Sequence, residues 1–252
     1  MIAHLPALQV VIPLISAPLC ALLPAGRVVW LAAVSTSWLA FLIAVLLLNQ
    51  VLAHGPVSYL MGSWPAPWGI EYRVDVLNAY VLLIVAMIGA IVMTFGRLIV
   101  ERRIRLPEHK QPWFYTAYML CLTGLLGITI TGDAFNVFVF LEISSLSSYV
   151  LISIGRDRRA LTAAYQYLIM GTIGATFILI GIGLLYVMTG TLNMGDLAAR
   201  IPAVADTRTV HAAFAFLTVG VSLKLALFPL HLWLPNAYAY APSAVTAFLA
   251  AT

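Results

Sequence analysis

The sequence predicts an all-α, polytopic transmembrane helix bundle, and three observations predict it. Apolar residues fill 63% of the 252 positions and charged residues only 9%, a balance foreign to a water-soluble domain of this size. Apolar runs of about 20 residues, enough to cross a hydrocarbon core of roughly 30 Å, recur along the whole chain. Between those runs the arginines and lysines favour alternate connections, as the positive-inside rule requires.

The first run covers about 8–23 and is closed by Pro24 and Gly26. No Lys or Arg precedes it, and Leu19 rather than a small residue stands before Cys20, so it reads as a span and not as a cleavable signal. The second run, about 28–53, ends at His54-Gly55-Pro56. A polar loop with Trp64, Trp68, Glu71, Arg73 and Asp75 follows, a composition suited to the membrane interface. The third run, about 76–100, leads into the most charged stretch, Glu101-Arg-Arg-Ile-Arg-Leu-Pro-Glu-His-Lys110.

Only Thr131-Gly132-Asp133 separates the fourth run, about 113–130, from the fifth, about 134–154, which predicts a tight antiparallel pair. Arg156-Asp-Arg-Arg159 then precedes the sixth, about 161–188, and the loop 190–208 carries balanced charge. A seventh begins near Thr209, and an eighth starts near Ser243 and stops at Thr252. The expectation is seven complete spans, the seventh discontinuous, plus a truncated eighth.

With the loop after the third span inside, the inner connections hold Arg27, Arg102, Arg103, Arg105, Lys110, Arg156, Arg158 and Arg159. The outer ones hold only Arg73, Arg200 and Arg208, so the N-terminus is expected outside. The net charge of +4 is then topology signal and implies no nucleic-acid partner. Cys20 and Cys121 lie in separate apolar runs without CxxC or His spacing, so neither a disulfide nor a metal site is expected. No Walker loop, dinucleotide-binding glycine fingerprint, HExxH or nucleophile elbow is present, and no cofactor or catalytic site is expected in this chain.

The stretch that carries chemistry is Lys224-Leu-Ala-Leu-Phe-Pro-Leu-His-Leu-Trp-Leu-Pro235. Pro229 lacks an N–H and clashes with the preceding turn, so a helix breaks there. Such breaks persist at membrane depth only where protein or a wet cavity satisfies the freed backbone groups. The natural partner of Lys224 is Glu142, an acid eight residues into the fifth span, where a carboxylate costs a few kcal/mol even on lenient insertion scales. Ser145, Ser148 and Tyr149 continue its helical face as a polar stripe. Burial disfavours the charged lysine and a nearby carboxylate favours it, so Glu142 is placed to switch Lys224 in a proton relay. A purely structural ion pair is the competing reading.

Two readings stand for His231: a proton carrier beyond the break, or a histidine hydrogen-bonded at a helix end. Asp133 is either an entry residue or, with its place in a short turn, a cap. Thr172 and Thr176 line water or share a face packed through Gly171, Gly174, Gly181 and Gly183.

Gly132-Asp-Ala-Phe-Asn-Val-Phe-Val-Phe-Leu-Glu142 resembles the fifth-helix signature of the antiporter-like membrane subunits. Lys224 with Pro229-Leu-His-Leu-Trp-Leu-Pro-Asn236 and Ala241-Pro-Ser243 resembles their seventh-helix signature. These subunits occur in respiratory complex I, membrane-bound hydrogenases and Mrp-type cation/proton antiporters. Ala163-Ala-Tyr-Gln-Tyr-Leu-Ile-Met-Gly171 is most similar to the D-type subunit of the Mrp antiporters. The resemblance implies residues 1–112 as three leading transmembrane helices with their loops, and 113–252 as the first, incomplete five-helix repeat of an inverted pair. It implies that Glu142 and Lys224 form the glutamate–lysine pair of a first half-channel. Asn236 stands where the family usually has Asp, and Thr252 falls near the family's central lysine, as in a fragment or degenerate product.

The expected function is a proton-translocating subunit of a Mrp-type monovalent cation/proton antiporter. Alternatives are a proton-pumping membrane-arm subunit of an NADH-quinone oxidoreductase or membrane-bound hydrogenase, and a non-transporting fragment. The implied partners are homologous and small membrane subunits, protons, sodium and lipid, in a bacterial inner membrane.

Overall fold

A computed structural model describes residues 4–104 and 107–252; Arg105, counted above among the inner charges, lies outside the described residues. Two helices open the chain, α1 (Leu5–Leu22) and α2 (Arg27–His54). A hairpin follows, β1 (Val57–Leu60) and β2 (Glu71–Val74), then α3 (Val76–Ile99), which runs on through a π-helical turn at Val100–Ile104. The antiparallel pair α4 (Gln111–Ile130) and α5 (Ala134–Ser153) comes next, then the long α6 (Arg159–Thr189). The short α7 (Met194–Val204) precedes α8 (Arg208–Lys224), α9 (Trp233–Tyr240) and α10 (Ser243–Ala251).

The chain forms a polytopic helix bundle. Among the described residues six helices, α1 to α6, are long and apolar enough to cross a membrane. Their outward surfaces carry large apolar side chains such as Leu42, Leu46, Ile91 and Ile173, which a lipid solvent accepts. The expected seventh span is divided: α8 stops at Lys224, ahead of Pro229, and residues 225–232 run in turns before α9 begins. Ala226 takes a left-handed φ of 51°, which takes the backbone out of the helical path.

α4 is the central helix. It packs on α1 and α5, and Phe114, Tyr115 and Tyr118 are fully buried within it. The Tyr118 hydroxyl donates to the Gly89 carbonyl of α3 at 2.8 Å, and its ring stacks on Phe248 of α10, centroids 4.5 Å apart. These contacts fix α3, α4 and α10 together, while α6 packs on α5 and α8 packs on α6.

Two connecting elements add to the sequence expectation. The interfacial tryptophan loop is a hairpin, with Val57 opposite Val74 and Leu60 opposite Glu71. The loop 190–208 contains α7, capped by Asn193, whose Oδ1 accepts from the N–H groups of Gly195 and Asp196. Both elements are stitched to the turn between α4 and α5. The Gly132 N–H donates to the Glu71 carbonyl and Met194 N–H to the Gly132 carbonyl, each at 2.8 Å.

Candidate functional site

α5 delivers the acid. Its N-cap is Asp133, whose Oδ1 accepts from the Asn136 N–H at 2.8 Å. Along α5, Ser144, Ser147 and Ser148 donate their hydroxyls to carbonyls of their own helix. Ser145 Oγ instead accepts from Lys224 Nζ at 2.9 Å.

α8 delivers the base. Thr207 caps its start, and Gly220 near its end meets Gly174 of α6. A Cβ on Gly220 would lie 2.7 Å from the Gly174 carbonyl, so the close approach of the two helices requires glycine there. This approach sets the last turn of α8 against α5 and α6. Lys224 Nζ lies 3.1 Å from Glu142 Oε1, with the lysine side chain 11% and the glutamate 24% exposed. An ammonium so placed holds a charge-assisted hydrogen bond to a carboxylate and a second bond to a hydroxyl.

A cavity of about 330 Å³ adjoins the lysine; its polar lining includes Lys224, Ser144, Ser145, Ser148, Tyr167 and Tyr238. At about 30 Å³ per molecule it has room for several waters, and its hydroxyls offer them partners.

The structure therefore brings Glu142, Lys224 and Ser145 together, with Ser148 in the same cavity. Tyr149 is buried on the same helix, its hydroxyl without a partner and set against Gly171. His231 is half-buried past the break; its Nδ1 has no partner among the described residues and its ring lies 5.5 Å from Phe228. It is not among the residues lining the lysine cavity. Pro229 is exposed within the turn segment. Asp133 is remote from the pair, at the N-terminal end of α5, where burial pushes its carboxyl above the usual range and backbone N–H groups partly offset this. Thr172 and Thr176 are exposed and donate to their own helix, whereas Gly174 and Gly181 face α8. Among the described residues no three His, Cys, Asp or Glu side chains gather in a way that could hold a metal ion, and Cys20 and Cys121 are free and buried.

Sequence reasoning does not single out Tyr167 and Trp233, which stand beside the lysine. Their rings stack at 4.0 Å, and the Trp233 indole N–H donates to the Leu223 carbonyl at 3.1 Å. The one sequence signal is a tryptophan following a helix break, in Leu-His-Leu-Trp233.

Residues 131–252 match the family described as NADH:quinone oxidoreductase/Mrp antiporter, transmembrane. The chain is 44% identical over 258 aligned residues to NADH-quinone oxidoreductase subunit N of Desulforudis audaxviator, an alignment covering 100% of this chain and 50% of that protein. It is 30% identical over 246 residues to the D subunit of a Na(+)/H(+) antiporter of Bacillus subtilis, covering 97% of this chain and 49% of that one. The chain thus spans about half the length of the curated relatives it matches. Among solved structures, it superposes on a chain of the membrane-bound sulfane sulfur reductase, an archaeal respiratory membrane complex, with a TM-score of 0.89 and 32% identity. That match covers 98% of this chain and 52% of the other. A chain of the Mrp complex from Dietzia sp. matches with a TM-score of 0.85 and 26% identity over 98% of this chain and 45% of its own length.

Proposed function

Because residues 131–252 match the NADH:quinone oxidoreductase/Mrp antiporter family, we propose that this membrane chain moves protons within a multisubunit membrane complex. One observation carries the reading: an acid and a lysine, 3.1 Å apart, meet at a helix break beside a polar cavity. Glu142 in its charged form holds the Lys224 ammonium. When Glu142 takes a proton the pair loosens, and Lys224 releases its own proton into the cavity lined by Ser145, Ser148 and Tyr238. His231 receives or relays protons beyond the break.

The complex is a Mrp-type monovalent cation/proton antiporter, with homologous and small membrane subunits as partners and sodium as a candidate coupled ion. The reading also takes residues 209–235 as a divided seventh span, 243–252 as part of an eighth, and 113–252 as belonging to the first repeat. The membrane is taken as that of a bacterial cell, and the arginine and lysine distribution supports an N-terminus outside.

A second reading has its own support. The 44% identity to the oxidoreductase relative exceeds the 30% to the antiporter relative, which favours a proton-pumping membrane arm with redox chemistry on other chains. Subunits that co-purify with this chain separate the two, since flavin and iron–sulfur proteins belong only to the second. In either case Glu142→Gln and Lys224→Ala are expected to abolish proton flux in proteoliposomes while the complex still assembles. Wild-type flux in either variant sinks the proposal.

A further inference from the structure

The end of α8 is held by a side chain from across the break. Leu223, the neighbour of Lys224, is buried, and from the backbone its carbonyl receives a long bond at 3.3 Å from the Ala226 N–H. Trp233 Nε1 is its closer partner at 3.1 Å. Trp233 is itself 5% exposed, and its ring lies flat on Tyr167 with 3° between the planes. Tyr167 meets Tyr149 edge-on at 4.5 Å, so the stack reaches from α9 through α6 to the helix that carries Glu142. The indole also divides two spaces. It lines the Lys224 cavity and a separate groove of about 510 Å³ between α6 and α9, shared with Gln166, Met170 and Asn236.

We propose that Trp233 is a positioning residue for the Glu142–Lys224 pair: its N–H fixes the backbone from which Lys224 projects, and its ring closes the lysine cavity toward the α6–α9 groove. This rests on the reading that the pair carries the proton. A weakly paired carbonyl at a helix end in lipid has no bulk water to turn to and draws the nearest donor. The ammonium of the adjacent Lys224 can supply that donor, and without the indole N–H the lysine is expected to bend toward its own helix end and away from Glu142. Tryptophan suits the wall of a proton cavity because its ring nitrogen donates only and neither takes up nor releases a proton near neutral pH. The titratable groups around Lys224 are Glu142 and Tyr149 of α5, Tyr167 of α6 and Tyr238 of α9, with Cys121 of α4 behind Ser148 and His231 beyond the break.

The test uses the native complex containing this subunit, in proteoliposomes, with coupled proton flux measured over a pH series and passive leak measured without driving force. Trp233→Phe keeps an aromatic ring and removes the donor. Flux is expected to fall about threefold to tenfold, with the pH midpoint displaced by about one unit, the size of one lost hydrogen bond. Trp233→Ala, which also opens the wall, is expected to raise the passive leak. An unchanged flux and pH midpoint in Trp233→Phe overturns the proposal, and so does a lower flux with an unmoved midpoint, since a purely structural role gives that result. Should Trp233→Phe not assemble, benzothienylalanine at position 233 keeps the ring shape, replaces the N–H by sulfur and decides the same question. Glu142→Gln run alongside separates the two failures. If it transports normally, the reading of the pair falls; if it is dead while Trp233→Phe is normal, only the role of Trp233 falls.

Discussion

Lys224 Nζ lies 3.1 Å from Glu142 Oε1, although 82 residues separate them in the chain. Each residue is a liability in lipid by itself, and together they are one hydrogen-bonded unit with Ser145. The stability of the bundle should therefore respond to the pair and not to the two residues singly. Lys224→Ala leaves a carboxylate without its counter-charge and is expected to cost about 2–3 kcal/mol, below the usual figure for a fully buried pair because Glu142 is 24% exposed. Glu142→Gln is expected to cost less, since the amide oxygen still accepts. The double variant should lose less than the sum, measured by thermal unfolding of the purified complex as a double-mutant cycle.

Asp133, in the turn outside the spanning segments, gives a pH-dependent prediction. Burial raises its carboxyl above 3.8, so the folded chain binds its proton more tightly than the unfolded chain. Its contribution to stability is complete below 3.8 and is lost as pH rises through the higher folded value. Asp133→Asn keeps the cap acceptor and removes the charge, so at pH 7 it should match or exceed the wild type, with the gap opening as pH rises from the acid side. Asp133→Ala removes the cap and should cost about 1 kcal/mol at every pH. Unfolding midpoints of the three proteins across pH check both statements.

Gly220 permits the approach of α8 to α6. Gly220→Val is expected to destabilise the bundle by about 1–3 kcal/mol through overpacking and to displace the lysine. Reduced assembly together with lost proton flux is the expected result, whereas Val at the exposed Gly183 position, where a Cβ meets nothing within 4 Å, should leave both intact.

At the hairpin end of the bundle, Asn193 caps α7 through Oδ1 and donates from Nδ2 to Glu71 Oε2 at 2.7 Å. Asn193→Asp keeps the cap and sets two carboxylates against each other. It should loosen the hairpin, seen as faster amide exchange over 57–74, while Glu71→Gln in the same background restores protection.

Much of this was legible in the sequence. Apolar runs of bilayer length located α1 to α6, and the rarity of charge at depth singled out Glu142 and Lys224 as partners. The end of the seventh helix was read less sharply. Pro229 announces that the helix cannot continue, but the helix ends earlier, at Lys224, because Ala226 leaves the helical region and the Ser222 carbonyl is taken by the Leu227 N–H. The hairpin and α7 were hidden because a short strand or helix at the interface has no periodicity long enough to read, and its partners are distant in sequence, as Glu71 and Asn193 show. Trp233 was hidden for another reason: an aromatic residue in a membrane sequence reads as lipid-facing or core until its N–H is seen on the Leu223 carbonyl.

The place where α8 stops has an electrical consequence. The aligned peptides of a helix leave about half a negative charge at its C-terminal end. For α8 that end is Lys224 itself, so the ammonium sits between the carboxylate of Glu142 and the negative pole of its own helix. Neutralising Glu142 removes only one of the two. The other moves with the backbone, which is joined to α9 by the turns of 225–232 and by the Trp233 indole bond to the Leu223 carbonyl. A shift of the α8 end thus changes the potential felt by the lysine without any side chain gaining or losing a proton, which turns mechanical displacement into voltage.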